Sequence, residues 1–365
     1  MSGAIVSMGK RIIVGMSGGV DSSVAALLLK DQGFEVECIF MKNWDEDSKF
    51  CPAEKDYRDA LQVCNTLDLP LHTINFTEEY QSLVFSHFLE EEKSGRTPNP
   101  DILCNQEIKF KLFLDYALSL DADFIATGHY AKVKRSNGQY VLYKGTDRQK
   151  DQSYFLYPLN QNALSHSLFP LGDFKKSEVR KLASDSGLVT SKKKDSTGIC
   201  FIGERNFPQF LRQFIPENPG HIVTHKGNII GQHTGLMFYT IGQRKGIGIG
   251  GGYGNKESPW YVVEKDIDNN NLVIVQGHDH PLLYSQKLRA GQLHWIGGCP
   301  LDEGKYVTAK IRYRQEDQSC TISYKEDNTC VVTFDKEQFG VAPGQSIVFF
   351  CEEQCLGGGI IEEKL

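Results

Sequence analysis

The sequence predicts an α/β protein in which a parallel-sheet domain precedes a small β-containing middle domain and a C-terminal antiparallel β-barrel. The first half alternates short apolar runs with amphipathic segments, the pattern of a parallel sheet covered by helices on both faces. Residues 216–283 are rich in Gly and Asn and carry only short strand-like runs. From residue 285 onward, short strands recur at regular spacing, which is typical of a small barrel.

Length and charge set the first limits. The chain has 365 residues, of which 40% are hydrophobic, and a single core stops growing at roughly 250 to 300 residues. We therefore expect three domains, over residues 1–215, 216–284 and 285–365. The net charge of −6 argues against wholesale coating of nucleic acid, although a local basic patch suffices to bind phosphates.

Compartment and metal content follow from what the sequence lacks. It has no run of about 20 apolar residues, and residues 1–10 do not have the layout of a secretory signal. The ten cysteines are scattered, without CxxC or HxxxH spacing. We expect a cytoplasmic protein with no membrane contact, mostly reduced thiols, and no tightly bound metal or cluster.

The elements of the first domain are predicted in order. Strands are expected at residues 11–16, 35–40, 71–74 and 124–127, and helices at residues 22–32, 53–67, 78–92, 108–120, 153–157 and 175–186. The Asn137-Gly138 pair predicts a hairpin turn between strands at residues 130–135 and 139–143.

The remaining elements are all strands. Two are predicted in the middle domain, at residues 260–265 and 271–276, and four in the barrel, at residues 306–314, 320–325, 330–334 and 346–351. No long amphipathic helix is evident beyond residue 214. On the strand at 306–314, Arg312 and Arg314 would share one face and Tyr313 the other.

The most specific local signal is a glycine-rich turn. Ser17-Gly18-Gly19-Val20-Asp21-Ser22 comes directly after a predicted strand and directly before an Ala-rich helix. Backbone N–H groups and the positive end of a helix dipole would face an anion there, and glycine lets the main chain approach phosphate oxygens closely. The motif is neither a Walker A loop nor GxGxxG. It resembles the PP-loop of ATP pyrophosphatases, and a plain capped glycine turn is the alternative.

Two cysteines lie in unusual surroundings. Cys104 ends a proline-pinned loop that runs into a helix, where a helix dipole would lower the pKa of a thiol. Cys200 follows the basic residues 192–194, and nearby positive charge would favour its thiolate. Asp101 stands three residues before Cys104; an ordinary helix N-cap is the alternative to a catalytic role for it.

An ordered set of motifs resembles the tRNA 2-thiouridylase family over essentially the full chain. The motifs are SGGVDSS, NPDILCN, TGHYA, KDQSYFL, DSTGICFIG, YTIGQRKGIGIGG and RYR. The resemblance implies an adenine nucleotide α-hydrolase-like first domain and a sulfurtransferase. Cys200 would carry a persulfide, ATP would adenylate the C2 oxygen of the wobble uridine at position 34, and attack by sulfur would expel AMP. Cys104 would then free the sulfur, leaving a disulfide with Cys200.

The same resemblance assigns the binding residues. Asp101 would be an acid/base or base-orienting group, and Asn99, Pro100 and Asp101 would contact the target base. ATP, as its magnesium complex, would lie against Gly15, Met16, Ser17, Gly18, Gly19, Val20, Asp21, Ser22, Met41 and Gly128. The tRNA would be held by His129, Lys150, Asp151, Gln152, Arg312, Tyr313 and Gln345.

The implied partners are tRNAs for Lys, Glu and Gln and a sulfur donor, either a cysteine desulfurase or a relay carrier. For Tyr313, stacking on a base and packing in the core remain equal alternatives. The run at residues 242–250 pairs Arg244 and Lys245 with flexible glycines, and it is either a phosphate-backbone contact or a plain loop.

Two other functions stay open on the sequence alone. A PP-loop ligase acting on a small carboxylate would need neither a persulfide cysteine nor an RNA-binding barrel, so Cys200 discriminates against it. A non-catalytic RNA-binding protein would not need an intact phosphate loop, and tRNA-dependent conversion of ATP to AMP would exclude it.

Overall fold

The fold comes from a computed structural model that describes residues 9–44, 52–195, 200, 207–249, 258–325 and 327–365. Its first domain is built on a five-stranded sheet in which every neighbouring pair is parallel, as the alternating pattern predicts. The strand order is β3-β2-β1-β4-β7, with β1 Arg11–Gly15, β2 Glu35–Lys42, β3 Leu71–Asn75, β4 Phe124–Ala126 and β7 Ser167–Leu168.

Helices cover both faces of this sheet. In chain order they are α1 Val20–Asp31; α2 Pro52–Leu67; α3, made of Thr77–Tyr80, a π-helical Gln81–Phe85 and Ser86–Lys93; α4, made of Pro100–Leu103, a π-helical Cys104–Leu112 and Phe113–Ser119; α5 Gln161–Ser165; α6 Lys176–Asp185; and α7 Phe207–Leu211. Short 3-10 turns lie at Ser153–Leu156 and Val189–Lys192. Because β1 is central, its residues Ile12, Ile13 and Val14 are fully buried between two apolar clusters.

The predicted hairpin forms. Its strands are β5 Ala131–Ser136 and β6 Gln139–Lys144, and the turn residues Asn137 and Gly138 both have positive φ, as a type I′ turn requires. Strand β6 also pairs with the last strand of the chain, through Leu142 with Cys355 and Tyr143 with Gln354. The first domain is therefore joined to the C-terminal barrel by main-chain hydrogen bonding.

A small mixed sheet forms the middle domain. Its order is β10-β11-β8-β9, with β8 Gly220–Thr224, β9 Ile229–His233, β10 Trp260–Asp266 and β11 Asn271–Gln276. Strands β8 and β11 run parallel, and the other two pairings are antiparallel. The hairpin β10–β11 agrees with the sequence prediction, and the described part of this domain adds a 3-10 turn at Leu236–Phe238.

A closed six-stranded antiparallel barrel forms the C-terminal domain, with a 3-10 turn, Pro281–Leu283, leading into it. Its order is β12-β15-β14-β13-β16-β17, closed by pairing of β12 with β17. The strands are β12 Tyr284–Trp295, β13 Tyr306–Lys310, β14 Gln318–Lys325, β15 Thr329–Phe339, β16 Ser346–Cys351 and β17 Gln354–Lys364. The long strands β12 and β17, which close the barrel, are not anticipated by the sequence patterns.

One strand prediction is wrong. Strand β13 ends at Lys310, and Arg312, Tyr313 and Arg314 lie in a turn, where Arg314 has a φ of +67°. The Gln315 side chain ends the strand by accepting the Ile311 N–H at 2.8 Å. Arg312 and Arg314 therefore do not share a strand face.

Candidate active site

The glycine-rich turn connects β1 to α1 at the carboxyl edge of the sheet. Gly18 has a φ of +71°, and a Cβ there would overlap the backbone carbonyl of Asp56, so only glycine fits. Gly19 is the N-cap of α1, and no side chain caps the helix. The Ser17 and Ser22 hydroxyls lie 3.1 Å apart beside it. The first amides of α1 thus lack a side-chain cap, which is the arrangement of an anion-binding helix N-terminus.

The other residues predicted to bind ATP surround this loop. Gly128, after β4, packs so closely on α1 that a Cβ there would lie 2.8 Å from the Ser22 amide nitrogen. Met41 lies at the end of β2, and its Cε would be 3.3 Å from a Cβ on Gly15. Met16 is buried at the loop's start. Residues far apart in the sequence therefore converge on one edge of the sheet, as in other open α/β nucleotide sites.

A network of ion pairs holds Asp21 of the glycine-rich turn in place. Asp21 accepts from Lys176 Nζ at 2.7 Å and from the Tyr130 hydroxyl at 2.7 Å. Lys176 also reaches Asp195, which pairs with Lys150 and Arg180 as well. Burial alone would raise the pKa of Asp195, but the hydrogen bonds from Lys150 and Lys176 outweigh burial and lower that pKa well below its ordinary value. The carboxylate at the centre of this network therefore stays ionised.

Lys193 secures the loop's other side. Its ammonium donates to the Gly18 carbonyl at 2.8 Å and to Asp56 at 2.7 Å, and it pairs with Asp59. The pKa of Lys193 is raised, because these carboxylates outweigh the opposing effect of burial. The sequence interpretation assigned residues 192–194 to Cys200, but this lysine serves the phosphate loop.

Helix α4 presents the first cysteine. Asn99 is its N-cap and accepts the Asp101 N–H at 3.2 Å, and Pro100 occupies the first turn, where a missing N–H costs nothing. Asp101 is therefore not the N-cap, and the N-cap alternative for it is wrong. Cys104 begins the π-helical segment of the same helix and is fully buried.

Cys200 lies directly against this helix. Its N–H donates to Asp101 Oδ1 at 2.9 Å, and its carbonyl accepts from the Tyr80 hydroxyl at 2.9 Å. The Cys104 thiol is near enough to raise the pKa of the Cys200 thiol, and neither cysteine is in a disulfide. Two cysteines 96 positions apart (200 minus 104) thus lie near one another, with the Asp101 carboxylate beside them.

A lysine absent from the sequence predictions completes this cluster. Lys109 Nζ lies 3.7 Å from Cys200 Sγ and donates to Asn105 Oδ1 at 3.0 Å. Burial disfavours its charge, but the two thiols and Asp101 outweigh burial and raise the pKa of Lys109. It supplies the cation that the sequence interpretation sought in residues 192–194.

The surroundings of Cys200 raise the pKa of its thiol, contrary to the sequence expectation of a favoured thiolate. Its hydrogen bond to Cys104, its burial and the Asp101 charge together raise the pKa of Cys200 well above the ordinary value, and Lys109 opposes them only in part. Thiolate character at this sulfur thus requires a change in the surroundings, such as loss of the bond to Cys104.

The residues predicted to touch tRNA fall into two groups. His129 and Asp151 are buried: burial, followed by the Lys109 charge, lowers the pKa of His129 well below its usual value, and Asp151 accepts from Gly145 and Ser153 amides. Gln152 accepts the Tyr130 N–H at 3.0 Å. In these places they support the fold locally, and their contact with tRNA remains a prediction.

Of the remaining predicted residues, Lys150 borders a cleft between the first domain and the barrel. This cleft has a volume of about 770 Å³ and is lined by five cations, Lys144, Arg148, Lys150, Lys310 and Arg314, and by three acids, Glu316, Asp317 and Glu353. Asp317 pairs with Lys144 and Lys310, and Glu353 pairs with Arg148. Arg312, just outside it, donates to the carbonyls of Ile241 and Gly340, and Tyr313 packs its ring 4.4 Å from that of Phe155. Gln345 lies elsewhere and donates to the Thr97 carbonyl at 2.7 Å. For Tyr313, packing is what the structure shows.

Fold and site together define a class: a PP-loop nucleotide domain that carries two neighbouring cysteines and is joined to two β domains. Comparison with known families agrees. Residues 10–204 match the tRNA methyl transferase HUP domain, residues 208–276 the tRNA methyl transferase PRC-barrel domain, and residues 285–361 the aminomethyltransferase beta-barrel domain.

Full-length relatives identify the family. The tRNA-specific 2-thiouridylase MnmA of Pseudomonas savastanoi is 56% identical over 97% of this chain and 94% of that protein. The enzymes of the same name from Nitrosomonas eutropha and Salmonella arizonae are also 56% identical, over 97% and 98% of this chain and 99% and 98% of theirs. The chain belongs to the tRNA-specific 2-thiouridylase family.

Among solved structures, a U34-tRNA thiolase from Methanococcus maripaludis shows 17% identity and a TM-score of 0.36, covering 58% of this chain and 68% of that chain. A likeness at this level carries no argument about the site. In the described part of the chain, no helix is long and apolar enough to cross a membrane.

Proposed function

We propose that this chain thiolates the wobble uridine of tRNA at C2, using ATP to activate the C2 oxygen and a persulfide on Cys200 as the sulfur source. By family membership it is a tRNA 2-thiouridylase, an ATP-dependent sulfurtransferase. The observation that carries the mechanism is the placement of Cys200 near Cys104, against Asp101 and Lys109, on a PP-loop domain.

The order of steps follows from the chemistry of uracil. A C2 carbonyl is a poor electrophile until its oxygen becomes part of a leaving group, so adenylation with release of pyrophosphate comes first. The terminal sulfur of the Cys200 persulfide then bonds to C2, and AMP leaves with the former carbonyl oxygen. Cys104 attacks Sγ of Cys200, the bond between the two persulfide sulfurs breaks, and its electron pair stays on the sulfur that becomes the thiocarbonyl. A Cys104–Cys200 disulfide remains, and a dithiol reductant must reopen it.

The residues of this chain have distinct parts in these steps. The capless N-terminus of α1 suits the phosphates of ATP, and Met41 suits the adenine side of the pocket. Asp101 would accept the Cys104 proton, and it accepts the Cys200 main-chain N–H. Lys109 would stabilise negative charge on the leaving and attacking sulfurs.

The proposal also covers the tRNA substrates, the sulfur donor, the form of the nucleotide and the location in the cell. The family resemblance suggests tRNAs for Lys, Glu and Gln, a cysteine desulfurase or a sulfur-relay carrier as donor, magnesium ATP as the nucleotide, and a cytoplasmic location. The cleft between the first domain and the barrel has five cations against three acids, and its exposed Arg314 supports docking of a phosphate backbone there.

A thiolation assay tests the proposal. Unmodified tRNA, ATP and a persulfide-forming donor are mixed with the intact protein or with Cys200→Ser, and 2-thiouridine is quantified by mass spectrometry. The intact protein should form it and Cys200→Ser should not. Equal thiolation by both proteins would show that the sulfur route is wrong, and AMP formation without thiolation by either would favour the small-carboxylate ligase.

A further inference from the structure

The loop that leads into the catalytic helix is held at one residue by both β domains. Thr97 stands two residues before the N-cap Asn99 and is half-buried. Its N–H donates to the Pro343 carbonyl at 2.8 Å, and its own carbonyl accepts from Gln345 Nε2 at 2.7 Å, so the barrel binds its main chain. Its hydroxyl accepts from Lys265 Nζ of the middle domain at 3.5 Å. All three polar groups of Thr97 are thus bonded outside the first domain.

The barrel residues that contact Thr97 are held by contacts of their own. Gln345 is fixed to β17, since its carbonyl accepts the Ile361 N–H at 2.8 Å. Gly344 has a φ of +92°, and a Cβ there would lie 2.7 Å from the Thr97 nitrogen, so the contact is as close as glycine allows. The barrel therefore meets this loop at a fixed distance.

The contact from the middle domain is equally enclosed. The side chains of Lys265 and Glu92 are each only 4% exposed and lie 3.9 Å apart, one on β10 and the other near the end of α3. A side chain on Gly95, between Glu92 and Thr97, would overlap Ile267 of the middle domain. Burial raises the pKa of Glu92 to about 8 and lowers the pKa of Lys265, while each group favours the charged form of the other. The charge of either group therefore depends on keeping the geometry of the pair.

Only a few restricted residues separate Thr97 from the helix that carries Asp101 and Cys104. Pro98 and Pro100 restrict the backbone between Thr97 and the helix, and Asn99 caps the helix that carries Asp101 and Cys104. Asp101 in turn holds the Cys200 main chain at 2.9 Å. A small shift at Thr97 therefore moves both sides of the cysteine pair.

We propose that Thr97 is a positioning residue that keeps Asp101 and Cys104 aligned with Cys200 only while both β domains are docked on the first domain. The inference deepens the proposed function: the domains that would hold tRNA also set the geometry for sulfur transfer. Thr97 does not touch the reacting atoms, and it acts through the start of the helix.

Three substitutions test the role of Thr97. Thr97→Val removes the hydroxyl at nearly constant volume, Thr97→Ser retains it, and Ser94→Ala removes a hydroxyl from the exposed side of the same loop as a matched control. We expect Thr97→Val to lower kcat for 2-thiouridine formation about ten-fold, the effect of about 1.4 kcal/mol, with the KM for ATP within about two-fold. Thr97→Ser and Ser94→Ala should stay near the intact protein.

A second readout does not depend on the proposed function. Oxidised glutathione can convert the Cys104 and Cys200 thiols to a disulfide, giving two reduced glutathiones, and the rate reports how well the two sulfurs are aligned. The disulfide should form several-fold more slowly in Thr97→Val than in Thr97→Ser, measured by peptide mass spectrometry. If the intact protein makes no thiouridine, the proposed function fails, but this rate still decides the role of Thr97.

Two results would overturn the proposal: unchanged kcat and disulfide rate in Thr97→Val, or an equal loss in Thr97→Ser. Should Thr97→Val have a lowered Tm, the double variant Glu92→Gln with Lys265→Met removes the same hydroxyl contact from the other domain without leaving a buried charge. The same slowing of disulfide formation is expected there, and its absence would equally reject the role.

Discussion

At the scale of single residues, the surroundings of Cys200 disfavour ionisation of its thiol. The hydrogen bond with Cys104, the burial and the Asp101 charge all raise the pKa of Cys200, and Lys109 at 3.7 Å is the group that opposes them. A thiol with a raised pKa carries less thiolate at a given pH. The reactive form thus depends on a persulfide, a more acidic group, or on disruption of the thiol pair.

Replacement of Lys109 tests this balance. Lys109→Met should raise the pKa of Cys200 further and slow its alkylation by iodoacetamide at pH 8 by about ten-fold, corresponding to about 1.4 kcal/mol of lost charge stabilisation. In the intact protein the alkylation rate should still be rising with pH above 9, because the pKa is raised. The rate is measured by mass spectrometry on the peptide that contains Cys200.

The conservative variant Lys109→Arg serves as the control, since it keeps a cation at the same position of the helix. It should alkylate close to the intact protein. If Lys109→Met alkylates as fast as the intact protein at every pH, the lysine has no electrostatic influence on Cys200.

Sequence patterns could single out Cys104, Cys200 and Asp101 but could not find Lys109. A regular α-helix has 3.6 residues per turn, which places positions five apart on different faces. The π-helical turn at Cys104–Leu112 is wider and brings Lys109 back to the cysteines. The position of Lys109 beside the cysteines depends on this helical irregularity, which no residue type in the sequence indicates.

At the scale of elements, the β1–α1 turn is specified by backbone geometry. The sequence motif and the alternation of strands and helices predict this turn well, because two glycines between an apolar strand and an Ala-rich helix have few other uses. The residues that lock it from behind, Lys176, Asp195 and Lys193, come from distant segments. Long-range ion pairs of this kind leave no local pattern, so sequence reasoning assigned Lys193 to the wrong partner.

Gly18 offers a direct test of the turn. Gly18→Ala should abolish tRNA-dependent AMP formation, by at least about 100-fold, the effect of about 2.7 kcal/mol, because a Cβ would overlap the Asp56 carbonyl and push the loop out of place. AMP release is measured by chromatography, alongside the urea midpoint of unfolding.

Gly227→Ala is the matched control. Gly227 has a φ of +83°, similar to Gly18, but a Cβ there would meet nothing within 4 Å. Both variants should lose about 1 kcal/mol of stability from left-handed backbone strain, and Gly18→Ala should lose more because of its overlap with Asp56. Only Gly18→Ala should lose AMP formation, and a similar activity in the two variants would mean that the loop does not bind phosphate.

At the scale of the whole molecule, three features connect the domains: the hairpin β5–β6, the cleft and the contacts of Thr97. Sequence patterns predict the parallel sheet, the hairpin turn and the presence of a barrel. They miss β12 and β17, which close the barrel, and the pairing of β6 with β17. Closure depends on contacts between strands far apart in the chain, and polar positions along β12 and β17 interrupt the alternation that local patterns require.

The cleft predicts how tRNA binding depends on salt. The affinity for tRNA should fall between 50 and 200 mM NaCl with a linear log–log slope, and Arg314→Ala should reduce the steepness of that slope by about 1, as expected for the loss of one phosphate contact. Arg314 is exposed at the cleft. Fluorescence anisotropy with labelled tRNA provides the measurement.

Lys181→Ala provides the comparison, because Lys181 is a highly exposed cation on α6 that pairs only locally with Asp185 in the described contacts. Its salt slope should match that of the intact protein. Identical slopes for Arg314→Ala and the intact protein would place the tRNA backbone elsewhere.

The most direct test of the central claim is a count of disulfides after a single turnover. Enzyme loaded with persulfide is mixed with excess tRNA and ATP without reductant, quenched by acid, and analysed by mass spectrometry for 2-thiouridine and for the Cys104–Cys200 disulfide. We expect one Cys104–Cys200 disulfide for each 2-thiouridine formed, and no such disulfide in Cys104→Ser. Formation of 2-thiouridine while both cysteines remain thiols would contradict it.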